Sequence, residues 1–195
     1  MTENTATLTF LDRLRSETTE AHTALERIPV SAAILKTSVT DAQYAAYLRL
    51  MYDVVASVEK HVHPHISHVI SDLEDRVKSI DLRNDLVHIG HEAPGTAKNP
   101  FQDMPNPGFA LGVAYVVEGS TLGGRFILKN IESVLGYNEH AGASYFSGYG
   151  NKTGSMWKSF LAQMTAFAAA DTCEDDIVAG ANHAFKAIHD HLDAL

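Results

Sequence analysis

Only one cysteine, Cys173, occurs in 195 residues, so an internal disulfide framework is excluded and a reducing cytoplasm is the expected compartment. Cations are also scarce. Fifteen Lys and Arg against 24 Asp and Glu leave a net charge of −9 and a pI near 5.6, which argues against nucleic acid and against a basic membrane-binding face. An anionic ligand would have to be held by a few locally placed cations. No apolar run approaches the ~18 residues of a membrane span. The opening MTENTATLTF has neither the basic nor the hydrophobic region of a secretory leader. Alternating apolar and polar stretches of strand length, fixed-period repeats and low-complexity linkers are likewise missing. The expectation is one all-α domain over residues 1–195, with no membrane and no nucleic acid as partner. Its 45% hydrophobic and 20% charged content suits a soluble globular chain long enough for a real core.

What is present is helical patterning. The spacing predicts a first helix over Thr9–Arg27, stopped by Pro29. A second begins at the capping box Thr40–Gln43 and runs toward Pro64. Pro64 suits the first turn of a third helix ending near Ser79. A short helix over Leu82–Gly90 leads into the proline-rich loop APGTAKNPFQDMPNPG. After a Gly- and Tyr-rich connection, GYNEHAGASYFSGYGNKTG, two last helices are predicted over Ser155–Ala170 and Thr172–Leu195, the latter with Glu174, Asp175 and Asp176 at its positive end.

Between the loop and that connection lies the stretch around which the chain is organised, GFALGVAYVVEGSTLGGR (Gly108–Arg125), apolar nearly all the way round. At about 100° per residue, Gly108, Gly112, Gly119 and Gly123 fall within a ~60° stripe, with Tyr115 and Phe126 alongside. An interior glycine costs about 1 kcal/mol relative to alanine, so Gly119, Gly123 and Gly124 together cost roughly 3 kcal/mol. Close approach of another body to the backbone is the usual compensation. That body is either a neighbouring helix or a flat ligand lying across a bent, glycine-lined helix.

On the first helix, His22 shares a face with Leu11, Arg15, Thr18, Leu25 and Glu26. An imidazole there serves either as a buried structural group or as a metal ligand. Glu26, four residues on, can accept from the ring N–H directly or through water, which fixes the tautomer and leaves the other nitrogen for a metal. Arg15, two turns away, can meet an anionic ligand edge. One histidine opposite a glycine-lined helix is a coherent haem pocket. The His61–His68 cluster, interrupted by Pro64, reads as a wet surface. Tyr44, Tyr47, Tyr52, Phe160, Phe167 and Phe185 read as core. Trp157 suits either core or pocket. Cys173, beside three acids, reads as a poor nucleophile. His88 and His91 lack the repeated Glu-x-x-His pattern of a di-iron bundle.

ThrGluAlaHis (Thr19–His22) on a first helix with GluGlySerThrLeuGlyGly (Glu118–Gly124) on a later one resembles the haem oxygenase family, most closely its bacterial, biliverdin-producing branch. TyrPheSerGlyTyrGly (Tyr145–Gly150) and Met156–Trp157 extend the likeness over nearly the whole chain. The resemblance implies an all-α fold that clamps haem between the first helix and a bent distal helix. It implies that haem is both cofactor and substrate, cleaved with O₂ and electrons from an external reductase or ferredoxin to biliverdin, CO and Fe(II). It assigns His22 as proximal iron ligand and Gly119, Gly123 and Gly124 as distal glycines. Arg15 and Tyr115 then fall at the propionate edge.

Mammalian-type members of that family place an aspartate where this chain has Ser120, so backbone N–H groups near Gly119 and Gly123 are expected to hold distal water, with Ser120 a secondary partner. Partners implied are haem, a redox donor and a bilin-accepting protein. The rival readings are a non-degrading haem carrier or sensor, and an all-α bundle binding another small ligand.

Overall fold

Thr9 starts the first helix by accepting the Asp12 N–H at 3.2 Å, and α1 then runs over Phe10–Arg27. The computed structural model describes residues 9–101 and 103–194. Ile28 ends α1 in an extended conformation (ψ 137°), as a residue before proline prefers. Pro29 then occupies the first turn of a short helix, α2 (Pro29–Ala33). Helix α3 (Asp41–Ser57) opens on the expected Thr40–Gln43 capping box, with both reciprocal bonds formed.

The region around Pro64 departs from expectation. Helix α3 does not stop before the proline but widens into a π-turn over Val58–Val62 and continues as α4 (His63–Ile66). The His63 N–H bonds to the Val58 carbonyl, five residues back, which opens the ladder where Pro64 lacks a donor and its ring would crowd the preceding turn. Nor does a third helix reach Ser79. The Ser71 N–H and hydroxyl both donate to Gln163 at 2.9 Å, and Arg76 turns inward from a short 3₁₀ turn (Leu73–Arg76), so tertiary bonds replace helical ones. Helix α5 spans Ser79–His88.

The glycine-rich stretch forms two helices. Asn106 caps α6 (Pro107–Ser120) by accepting the Phe109 N–H at 2.8 Å. Thr121–Gly123 make a turn, and α7 (Gly124–Leu135) follows until Gly136, at φ 80°, ends it in the left-handed region. Two 3₁₀ turns follow (Ser144–Ser147 and Gly150–Lys152), then α8 (Thr153–Asp171) and α9 (Glu174–Leu192). Thr172, the non-glycine residue at positive φ (52°), separates these last two, so α9 starts two residues later than predicted. Its predicted end, Leu195, lies outside the described residues.

The core is built on α6 and α9, with α1 laid along α9. A Cβ on Gly112 would stand 2.0 Å from the Ile177 carbonyl oxygen of α9, and one on Gly180 would stand 2.0 Å from the Phe109 oxygen of α6. The two backbones touch through reciprocal glycines. Leu14, Leu48, Leu111, Phe160 and Ile177, all fully buried, fill the space between the helices, at about 1.5–3 kcal/mol for each such side chain. Among the described residues no helix is long and apolar enough to cross a membrane.

Candidate functional site

The glycine stripe divides by position. Gly108 and Gly112 face α9, where a Cβ would strike Cys173 or the Ile177 backbone, so these two are helix-packing glycines. Gly119 instead faces the Trp157 ring, 3.4 Å from where its Cβ would be, and beside Gly123 the nearest atom is the Ser120 oxygen at 3.7 Å. Both line a cleft between α1 and the α6–α7 turn. Gly124 also borders the cleft, but a Cβ there would lie 2.6 Å from the Phe146 carbonyl oxygen, so its main task is to let the Ser144–Ser147 turn pack.

That cleft has two lobes of about 430 and 310 Å³ that share His22, Leu25, Ser31, Tyr47, Gly119 and Ser120. Arg15 and Tyr115 stand in the larger lobe and Glu26 in the smaller, so His22, Arg15, Glu26, Tyr115, Gly119, Ser120, Gly123 and Gly124 all border one continuous space. His22 is held edge-on by Phe185, with ring centroids 5.7 Å apart. Its Nδ1 lies 3.8 Å from Glu26 Oε1, too far for a direct hydrogen bond and suited to a bridging water. Arg15 is paired loosely with Asp12 at 3.6 Å, both half-exposed, and so is available to another anion. Tyr115 packs on Trp157, and burial raises its pKa. Ser120 donates to the Val117 carbonyl oxygen at 2.7 Å.

The walls also contain residues that sequence reasoning placed elsewhere. Tyr47 and Met51 of α3, and Phe185, Ile188 and Leu192 of α9, border the larger lobe, although Tyr47 and Phe185 read as plain core. Their helical spacing is that of core residues, and nothing in it marks which core positions abut a cleft. Three large apolar side chains stand open at the mouth: Leu35, Leu122 and Phe126, the last 79% exposed.

Behind the bend lies a second polar feature. Glu118, the one charge in α6, accepts from the Arg76 guanidinium at 2.5 Å and from the Tyr149 hydroxyl at 2.8 Å. Arg76 also donates twice to Asp72, at 2.8 Å each, and to the Met156 carbonyl oxygen at 3.0 Å. Burial raises the Glu118 pKa although Arg76 and Tyr149 pull it down, whereas the Arg76 hydrogen bond holds Asp72 below the usual carboxylate range. His63 turns inward toward this group while His61, His65 and His68 stay exposed, which corrects the reading of the histidine cluster as surface throughout. A lone carboxylate in an otherwise apolar helix was the available signal for a buried partner. Cys173 has its thiol pKa raised by burial and then by Asp171, in keeping with an unreactive cysteine.

The cleft combines an imidazole on one wall, open backbone at Gly119 and Gly123, aromatic surroundings and a cation at one end, which together suit a flat, anionic, metal-bearing ligand such as haem. A family model described as Heme oxygenase matches residues 8–88 and 91–194. The chain is 25% identical over 181 residues to Heme oxygenase PigA of Pseudomonas aeruginosa, covering 93% of this chain and 90% of that protein. Among solved structures, the NO- and CO-bound haem oxygenase of Neisseria meningitidis matches with a TM-score of 0.77 at 25% identity, over 95% of this chain and 91% of its own. Haem oxygenase from Leptospira interrogans shares the fold, with a TM-score of 0.77 at 19% identity, over 96% and 100%. With the family match running along almost the whole chain and the helices arranged as in these structures, the chain belongs to the haem oxygenase family, oxidoreductases that degrade haem.

Proposed function

We propose that the α1–α6 cleft binds haem with His22 as the iron ligand and that the protein cleaves it to biliverdin, CO and Fe(II), using O₂ and electrons from an external reductase or ferredoxin. The observation that carries this reading is a single cleft bordered by His22 on one helix and, across from it, by Gly119 and Gly123, which bring no side chain of their own. Haem, when bound, supplies the iron that activates O₂ and the ring that is cut.

The chain's own groups do the rest. Glu26, by way of a bridging water at His22 Nδ1, would fix the tautomer that leaves Nε2 to hold the iron. Arg15, with Tyr115 beside it, would meet the propionates and so favour one orientation of the ring. Gly119 and Gly123 would keep side chains away from the opposite face, and Gly124 fixes the turn. The expectation that backbone N–H groups hold distal water is corrected: the Leu122, Gly123 and Gly124 N–H groups already donate to the Gly119, Ser120 and Thr121 carbonyl oxygens at 3.2, 3.2 and 3.3 Å, so water there would be met by the Ser120 hydroxyl oxygen. Tyr47, Trp157 and Phe185 line the larger lobe and would exclude bulk solvent from a bound ligand. The product is released to solvent or to a bilin-accepting protein in the cytoplasm.

Addition of haem to the purified protein should give a Soret band, and a reductant in air should then bleach it to a biliverdin spectrum. A stable Soret band under those conditions would make the protein a carrier. No band would remove haem from the cleft.

A further inference from the structure

A cavity of about 20 Å³ lies behind the α6–α7 bend, enough for one water molecule. Its polar wall is made by Glu59, His63, Arg76, Glu118 and Tyr149, which is chemistry that holds water rather than fat. Glu59 is partly exposed and so stands between the cavity and the surface, with its carboxylate fixed by the Lys78 and Ser79 N–H groups at 2.6 and 2.8 Å and by the Ser79 hydroxyl. On the other side Tyr145 borders both the cavity and the smaller lobe of the cleft. Tyr47 and Ser120 line the smaller lobe with it, and Glu59 and Glu118 line the cavity with it. Asp85 fixes the segment that carries it, accepting the Ser144 and Tyr145 N–H groups at 2.9 Å each and the Ser144 hydroxyl at 2.8 Å.

We propose that the Tyr145 hydroxyl relays protons from the Glu118–Glu59 cavity into the haem cleft. The inference rests on the haem reading of that cleft, since reduction of O₂ there consumes protons. The hydroxyl proton passes to an oxygen acceptor in the cleft while the same oxygen takes a proton from water in the cavity. The proton that this water gives up is replaced from solvent by way of the partly exposed Glu59 carboxyl group, and no electrons move. Burial raises the Tyr145 pKa, with Tyr47 adding to it, so the group works by concerted transfer and does not dwell as a phenolate. Thr121 and Lys78 border both spaces as well, but the Thr121 hydroxyl is committed to the Glu118 carbonyl oxygen at 2.7 Å, and Lys78 is held by Asp81 and the Tyr149 ring.

The test is Tyr145→Phe, which keeps the ring, with Ser120→Ala and Glu59→Gln beside it. Haem titration should give the parent's affinity and spectrum in the Tyr145→Phe protein. Single-turnover loss of the oxygenated complex should slow about a hundredfold, the low end for a positioned proton donor, and its solvent-deuterium effect should change. The pH midpoint of the acid–alkaline spectral change in the ferric haem complex should also move, a readout independent of turnover. Ser120→Ala should slow the reaction by no more than roughly tenfold. Glu59→Gln should slow it in the same direction as Tyr145→Phe, and decides the matter should that variant misfold. A Tyr145→Phe protein with the parent's rate and midpoint overturns the relay, and a Ser120→Ala loss of about 1000-fold moves it to the serine. A parent that binds no haem overturns the reading of the cleft itself.

Discussion

Arg76, whose side chain is wholly shut off from solvent, donates to the Glu118 carboxylate at the residue before Gly119, and so ties the end of α6 to the Leu73–Arg76 turn. Breaking a buried pair by removing one partner leaves an uncompensated charge and costs roughly 3–5 kcal/mol. Arg76→Met should therefore lower stability by about that amount in urea denaturation, through the loss of both the Glu118 and Asp72 contacts. A loss below ~1 kcal/mol would mean the pair contributes nothing net to the bend.

The divided glycine stripe gives a contrast between sites only seven residues apart. Gly112→Ala drives a methyl group into the Ile177 backbone and should cost about 1–3 kcal/mol or more, because neither helix can yield without separating. Gly119→Leu and Gly123→Leu should fold, since leucine has the better helix propensity and backbone blocks neither site. They should nevertheless lose haem or O₂ binding. Melting temperatures and Soret titrations of all three separate the roles. Normal haem turnover in both leucine variants would make the whole stripe a packing device.

His22→Ala should fold and retain weak haem affinity from apolar burial, with the histidine-ligated spectrum and nearly all turnover lost. The purified variant's absorption spectrum and single-turnover rate decide this. Retention of both would assign the iron to another histidine.

Burial pushes the His63 imidazole from 6.5 down to about 4, with the Arg76 charge adding to the effect. Between those values the unfolded chain takes up a proton that the folded protein refuses. The stability is therefore fully present above pH 6.5 and is lost as pH falls toward 4, by up to about 3 kcal/mol. His63→Leu should flatten the stability profile across that window relative to the parent, measured by urea titration at half-unit steps. Parallel profiles would show that His63 is solvated and titrates freely.

Much of this was legible in the chain. The Thr40–Gln43 box and Pro29 act locally, as a cap and a helix stop, and local chemistry marks helix ends where it acts; Asn106 and Gly136 act just as locally, though neither was singled out in the sequence. His22 and the Glu118–Gly124 motif stood out because imidazole and repeated glycine are costly choices inside apolar helices. The illegible parts depend on partners far along the chain. Segment 67–78 abandons its helix for Gln163 and Glu118, and His63 is turned inward by a π-turn whose position is set by Pro64. The glycine stripe looked uniform because periodicity reports which residues share a face, not what the face meets.

The reciprocal contact at Gly112 and Gly180 has a mechanical consequence. Backbone that touches backbone cannot slide or spread without breaking contact everywhere along the seam, so α6 and α9 behave as a fixed jaw. The start of α7 is held in the same way, since a Cβ on Gly124 would lie 2.6 Å from the Phe146 carbonyl oxygen, and Asn130 further along α7 donates to the Ile34 and Lys36 carbonyl oxygens. Yielding of the distal wall is thus confined to the Thr121–Gly123 turn, where Gly123 has no such contact, while α6 up to Gly119 and α7 from Gly124 keep their positions. Amide exchange would register this as slow protons on α6, α7 and α9 and faster ones over Thr121–Gly123.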